Sequence, residues 1–157
     1  MAGQLSFDNP IFSKFAFYST LVVGKTMMMS HLTTINRIRK EAYANEEDTK
    51  TFGKTPGLLV KLADSTVERI RRCHLNDLEN VFPFVLVGLF YVSSGPDSTI
   101  ATWHFKIFAG ARILHTLAYL FSLPQPCRFL CHNVCWFVTA SMAARVLARA
   151  LDIEFYI

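Results

Sequence analysis

Charge is scarce in this chain, and what there is does not follow a water-soluble pattern. Of 157 residues, 18% are charged and 52% hydrophobic, against about a quarter charged in an ordinary globular domain. Val81 to Val92 carries no charge at all. Segments such as Phe82 to Val92 and Phe129 to Ala144 lack the polar stripe that each helix of a soluble four-helix bundle turns to water. A strong net charge is missing too. The balance of +4 is mild and crowded into one segment, which suits an anionic membrane surface or ligand and excludes a nucleic-acid groove. Met1 to Asn9 has neither a basic n-region nor a small-residue cleavage site, so no secretory signal is expected there. Cysteine is sparse, at four residues. Cys127, Cys131 and Cys135 fall four apart on one helical stripe, a poor geometry for disulfides. His132 would point roughly 100° away from that stripe on a helix of about 3.6 residues per turn. No metal site is expected. The thiols read as small buried packing groups, with Cys73, in a polar setting, the one candidate for reactivity.

What is present is organised around Glu68 to Asn80. These thirteen residues hold three arginines, three acids, a histidine and two asparagines. The apolar run follows without a break. Charge and apolarity are thus separated along the helix rather than around it, as when the first turns stand at a membrane surface and the later turns enter lipid. On such a helix Arg72, Asn76 and Glu79 share one face. Ionisable groups at the edge of the hydrocarbon are expensive and mark function by default.

Four spans are expected, at about 10–36, 66–93, 99–121 and 128–151, since about 20 residues cross about 30 Å of hydrocarbon. Asp8 or Asn9 before Pro10 starts the first. Lys14 can snorkel from its end, whereas Lys25 lies deeper and should face another helix. Residues 37–65 read as a hydrophilic loop, and Ser65-Thr66-Val67-Glu68 as a capping box. Pro83 should kink the second span. Ser94-Gly95-Pro96-Asp97 is a tight turn that makes spans two and three antiparallel. Leu123-Pro124-Gln125-Pro126 stops the third. The connection between spans one and two holds nine Lys/Arg up to Arg72, so the positive-inside rule makes it cytoplasmic and puts both termini on the other side; Arg145 and Arg149 weakly oppose this.

The polar residues then gather. Span three offers Arg112, His115 and Tyr119 on one face. Span four begins at Arg128, and Arg37 ends span one. All but Arg112 lie in the cytoplasmic third. Converging, they would form a cationic pocket with one buried acid, fit for a small carboxylate-bearing ligand. In the plainer alternative, Arg112 with Glu79 or Asp77 is an interhelical ion pair that specifies packing. A small transporter would also carry intramembrane charge, but the spans show no inverted repeat.

Glu68-Arg69-x-x-Arg72-x-His74-x-Asn76-Asp77-x-Glu79, then Pro83-Phe84, then Gly110-Ala111-Arg112-x-x-His115-Thr116-x-Ala118-Tyr119-Leu120 form a long, ordered pattern. With Arg37-x-Arg39-x-x-Ala42-Tyr43-Ala44-Asn45-x-Glu47-Asp48 and the Gly95-Pro96 turn, it resembles the family of membrane-associated proteins in eicosanoid and glutathione metabolism over most of the chain. Leu123-Pro124-Gln125-Pro126-x-Arg128 looks most like that family's transferase branch. The resemblance implies an all-α, integral membrane four-helix bundle, one domain over 1–157, assembled as a homotrimer with glutathione between subunits. It also implies the endoplasmic reticulum membrane as the location, with the outer mitochondrial membrane as a second address. Carried over by motif, Arg37, Arg72, Asn76, Glu79, His115, Tyr119 and Arg128 would bind glutathione. Arg128 would be catalytic, and Asp77 and Arg112 a structural pair or part of the pocket. The implied reaction is transfer of the glutathione thiolate to hydrophobic electrophiles, with reduction of lipid hydroperoxides beside it; glutathione is a co-substrate and no metal is involved. The synthase branch of the family, a glutathione-dependent isomerase, has a hydroxyl residue where Phe129 stands, an arginine at Leu75 and a tyrosine at His132. Those departures weigh against it. A non-catalytic lipid-binding scaffold is the other alternative, against which the intact Arg128 argues.

Overall fold

The computed structural model describes residues 4–152; residues 1–3 and 153–157, the latter expected from the sequence to form a short tail after the last span, lie outside them. Within that range the chain is helical: α1 (Pro10–Lys40), α2 (Glu46–Phe52), α3 (Ser65–Ser93), α4 (Ser98–Leu120) and α5 (Gln125–Ala150). Asn9 caps α1, its side chain accepting from the Ile11 amide ahead of proline in the first turn, as its sequence anticipates. The other end departs from expectation. α1 runs to Lys40 instead of stopping near residue 36, and Glu41 closes it in the left-handed region. The expected featureless loop contains α2.

The start of α3 is also corrected. Its cap is Asp64, whose carboxylate accepts from the Thr66 and Val67 amides at 3.0 and 3.1 Å, not a Ser65 box. Those amides hold the Asp64 carboxyl below its ordinary range. In the connection, the Glu41 carboxylate accepts from the Lys54 amide at 2.7 Å and the Thr55 hydroxyl at 2.6 Å. The Thr55 hydroxyl first, then the Lys54 amide, keeps it ionised below its usual range. Tyr43 ties in the same segment, donating to the Phe52 carbonyl at 3.0 Å.

α1 packs on α3 and α4, and α5 on α3 and α4. Between α3 and α4, Gly95 takes the positive φ of 66° that the tight turn needs, and Asp97 caps α4. The core is aromatic. Phe84 and Phe108 stack at 3.7 Å, and Phe15 reaches both Phe84 and Phe105. Gly88 makes that possible, because any Cβ there would overlap the Phe15 ring.

The outside is the reverse of a soluble protein's. Phe82 is 66% exposed, Phe90 64% and Trp136 57%; Phe17, Met28, Trp103, Phe129 and Phe137 join them. Large apolar side chains in this number on the outer faces need a non-aqueous or protein partner. α3 and α5 are each long and apolar enough to cross a membrane.

Candidate functional site

The residues singled out above separate into an inner cluster and an outer set. The inner one is built where α1, α3 and α4 meet. Arg112 is 0% exposed. Its Nη2 donates to Asp77 Oδ1, and its Nη1 to the Asn76 side-chain oxygen at 3.1 Å. Asp77 Oδ1 also takes Lys25 Nζ at 2.5 Å, with Lys25 only 16% exposed. Lys25 Nζ donates further to the Thr116 hydroxyl at 2.9 Å. Thr116 in turn donates to the Arg112 carbonyl, a local i to i−4 bond.

Of the two acids expected as partners of Arg112, the structure pairs it with Asp77, while Glu79 stands on the exposed side of α3. Lys25 does face another helix, as its depth in an apolar run requires, but its role as second cation on Asp77 was missed. The signal was available: an intramembrane lysine needs an acid, and of the acids in the spans Asp77 sits among the residues α3 buries. Thr116 carried no sequence signal of its own.

The outer set begins at His115, which is buried next to the inner cluster. Its ring lies 5.0 Å from that of Tyr119, and the Arg128 guanidinium sits over the Tyr119 ring at 4.8 Å. α5 starts three residues earlier than expected, so Arg128 lies inside its first turn rather than at its start. Arg37 is half-buried and donates to the Ala42 carbonyl at 3.1 Å, closing the end of α1. Arg72 and Glu79 are exposed, and among the described residues neither forms an ion pair. The single chain therefore joins His115, Tyr119 and Arg128, and joins Asn76 to Arg112 and Asp77. It leaves Arg72 and Glu79 facing outward.

The thiols also differ from expectation. Cys73 and Cys135 are buried, but Cys131 is half-buried and Cys127 exposed. Cys73, the one candidate for reactivity, is packed away with its thiol 3.8 Å from the Thr116 hydroxyl. Cys73, Asp77 and His115 bring one donor atom each within 4.8 Å of one another. Lys25 and Arg112 already occupy that carboxylate, and two cations beside it disfavour a third.

What this arrangement can do chemically follows from its charges. The Arg128 guanidinium, near the free amides of a helix start, favours an anion, and outward-facing Arg72 and the amide N–H groups of half-buried Asn76 can receive carboxylates. A family model described as the MAPEG family matches residues 15–148. The chain is 48% identical over 145 residues to microsomal glutathione S-transferase 1 of Homo sapiens, covering 92% of this chain and 94% of that one. It is 49% identical over 144 residues to the protein of the same name from Sus scrofa, covering 91% and 93%. It is 40% identical over 136 residues to prostaglandin E synthase of Equus caballus, covering 87% of each.

Proposed function

Because this chain belongs to the MAPEG family, we propose that it is a membrane-bound glutathione transferase. It joins the glutathione thiolate to hydrophobic electrophiles that arrive through the bilayer, and it reduces lipid hydroperoxides with the same thiol. In this reading all four long helices cross the membrane as one domain, with the basic connection containing α2 on the cytoplasmic side. The membrane is that of the endoplasmic reticulum, with the outer mitochondrial membrane as the second address. Three copies assemble, and glutathione lies between neighbours. Arg37, Arg72, Asn76 and Glu79 of one copy and His115, Tyr119 and Arg128 of the next hold it. That division accounts for Arg72 and Glu79 facing out of the protomer.

The observation that carries the reading is Arg128, in the first turn of α5 with its guanidinium over Tyr119 beside His115. A thiol has a free pKa of about 8.5, and only the thiolate is a good nucleophile. Arg128 and the helix start stabilise that anion. The sulfur then attacks the electrophilic carbon; with an aryl chloride the C–S bond forms, chloride leaves, and the thiol proton has already passed to water. With a hydroperoxide, the sulfur takes the terminal oxygen and releases the alcohol, and a second glutathione completes the disulfide and water. The synthase reading is the weaker one, because Phe129, Leu75 and His132 stand where that branch has its distinguishing residues.

Purified protein given glutathione and a chlorinated nitroaromatic should form the conjugate. No conjugation, with glutathione still bound, would make it a scaffold; no glutathione binding would refute the reading outright. Light scattering in detergent should give a trimer, and a monomer that still binds glutathione would refute the shared site.

A further inference from the structure

The proposed glutathione site meets the buried charge cluster at one atom, the side-chain oxygen of Asn76. A carboxamide has an acceptor end and a donor end, and a guanidinium can only donate. The 3.1 Å contact from Arg112 Nη1 therefore fixes the Asn76 oxygen inward and leaves its N–H donors for a partner outside. Reversed, Asn76 would present its oxygen to a glutathione carboxylate and repel it.

Arg112 can do this only if it is itself held. Its Nη2 is on Asp77 Oδ1. That anchor is shared with Lys25, whose Nζ reaches Asp77 Oδ1 at 2.5 Å and is itself steadied on the Thr116 hydroxyl at 2.9 Å. Two cations thus share one carboxylate oxygen, and Asp77 Oδ2 is buried without a hydrogen-bond partner among the described residues. Without Lys25, the guanidinium would be free to close on both oxygens of Asp77 in the bidentate geometry that arginine prefers. That shift draws Nη1 away from Asn76.

We propose that Lys25 of α1 is a positioning residue for the glutathione site, holding Asn76 donor-side outward through Asp77 and Arg112. The proposal rests on the transferase reading above and adds to it a residue that touches no substrate. Its test uses full-length wild type, Lys25→Met, Lys25→Arg, Asn76→Ala and the Lys25→Met/Asn76→Ala double variant in lipid nanodiscs. Equilibrium dialysis gives the glutathione Kd, and steady-state conjugation gives KM and kcat. Lys25→Met should raise Kd and KM about tenfold, the loss of one hydrogen bond to a charged group, with kcat at saturating glutathione within about a factor of two. Lys25→Arg should recover most of the affinity. The double variant should bind no more weakly than Asn76→Ala alone, since both changes remove the same contact. Thr116→Val, which removes the hydroxyl at nearly constant volume, should move Kd in the same direction by a smaller factor and serves if Lys25→Met does not fold.

A folded Lys25→Met with wild-type Kd, no recovery in Lys25→Arg, or additive losses in the double variant would each overturn the proposal. A lower melting temperature with unchanged Kd would reduce Lys25 to a packing residue. Wild type that does not bind glutathione would instead refute the transferase reading, which separates the two failures.

Discussion

Replacing Arg128 with leucine tests the proposed chemistry most directly. The side chain is half-buried, its guanidinium 4.8 Å from the Tyr119 ring centroid. A unit charge about 4 Å from a bound thiolate is worth about 4 kcal/mol at an effective dielectric of about 20, less where water shares the site. Losing it should cost roughly 2–4 kcal/mol, similar to losing one oxyanion-hole donor. At about 1.4 kcal/mol per unit, that returns the thiol most of the way to its free pKa near 8.5. Conjugation at neutral pH should fall on the order of a hundredfold, and the pH–rate midpoint should rise. The ultraviolet thiolate band of bound glutathione should disappear while Kd changes little, because carboxylates and ammonium are held elsewhere. Arg128→Lys keeps the charge, loses the flat stack on Tyr119 and should fall between. Arg72→Leu should do the reverse, weakening binding first. If Arg128→Leu turns over normally, this arginine is an interface anchor, and Arg37 or His132 becomes the candidate for holding the sulfur.

Asp77→Leu leaves Lys25 and Arg112 buried without a counter-charge and should destabilise by about 3–5 kcal/mol; thermal unfolding in detergent close to wild type would refute the ion cluster. Gly88→Ala drives a methyl into the Phe15 ring and should cost about 1–3 kcal/mol, also read by thermal unfolding, with an unaltered melting temperature refuting the α1–α3 contact. The Glu41 anchor, ionised below its usual range, should persist from neutral pH down past the ordinary carboxylate value and fail only as pH falls through the depressed one. Hydrogen exchange should find the Lys54 amide protected across that window in wild type and unprotected in Glu41→Ala at every pH; equal protection in both would refute the anchor. Proteolysis of sealed, right-side-out microsomes should cut between Lys50 and Lys61, and protection of that segment would reverse the proposed orientation.

Much of the framework could be read from local chemistry. The Asn9-Pro10 start, the Ser94 to Asp97 turn and the Pro124 stop each act within a few residues, and the structure has helix boundaries at all three. The cap of α3 fell to Asp64, one residue before the expected serine, and since aspartate and serine cap about equally well residue type alone did not choose between them. α2 is a short helix whose acids favour its first turn, a signal too weak to stand out in a polar segment. The Arg112–Asp77 pair was legible as one of two choices, since Asp77 and Glu79 are two residues apart and the rotation of α3 decides which one faces α4. The cysteine stripe failed for the same reason: even spacing put three thiols on one line, but the helix buries only its Cys135 end.

The carboxylate of Asp77 has a consequence for how the chain enters its membrane. If all four long helices span as proposed, α1 alone would bring Lys25 into lipid with no counter-charge, and α4 alone would bring Arg112. Both cations end on the same oxygen of α3. Since synthesis delivers α1 first, the nascent first helix gains by waiting beside the insertion machinery until α3 emerges. Lys25 and Asp77 can then partition as an ion pair, and Arg112 of α4 follows onto a carboxylate already in place, leaving one positive charge in excess there. The helix with the most charge at its head is thus the one that makes its neighbours insertable.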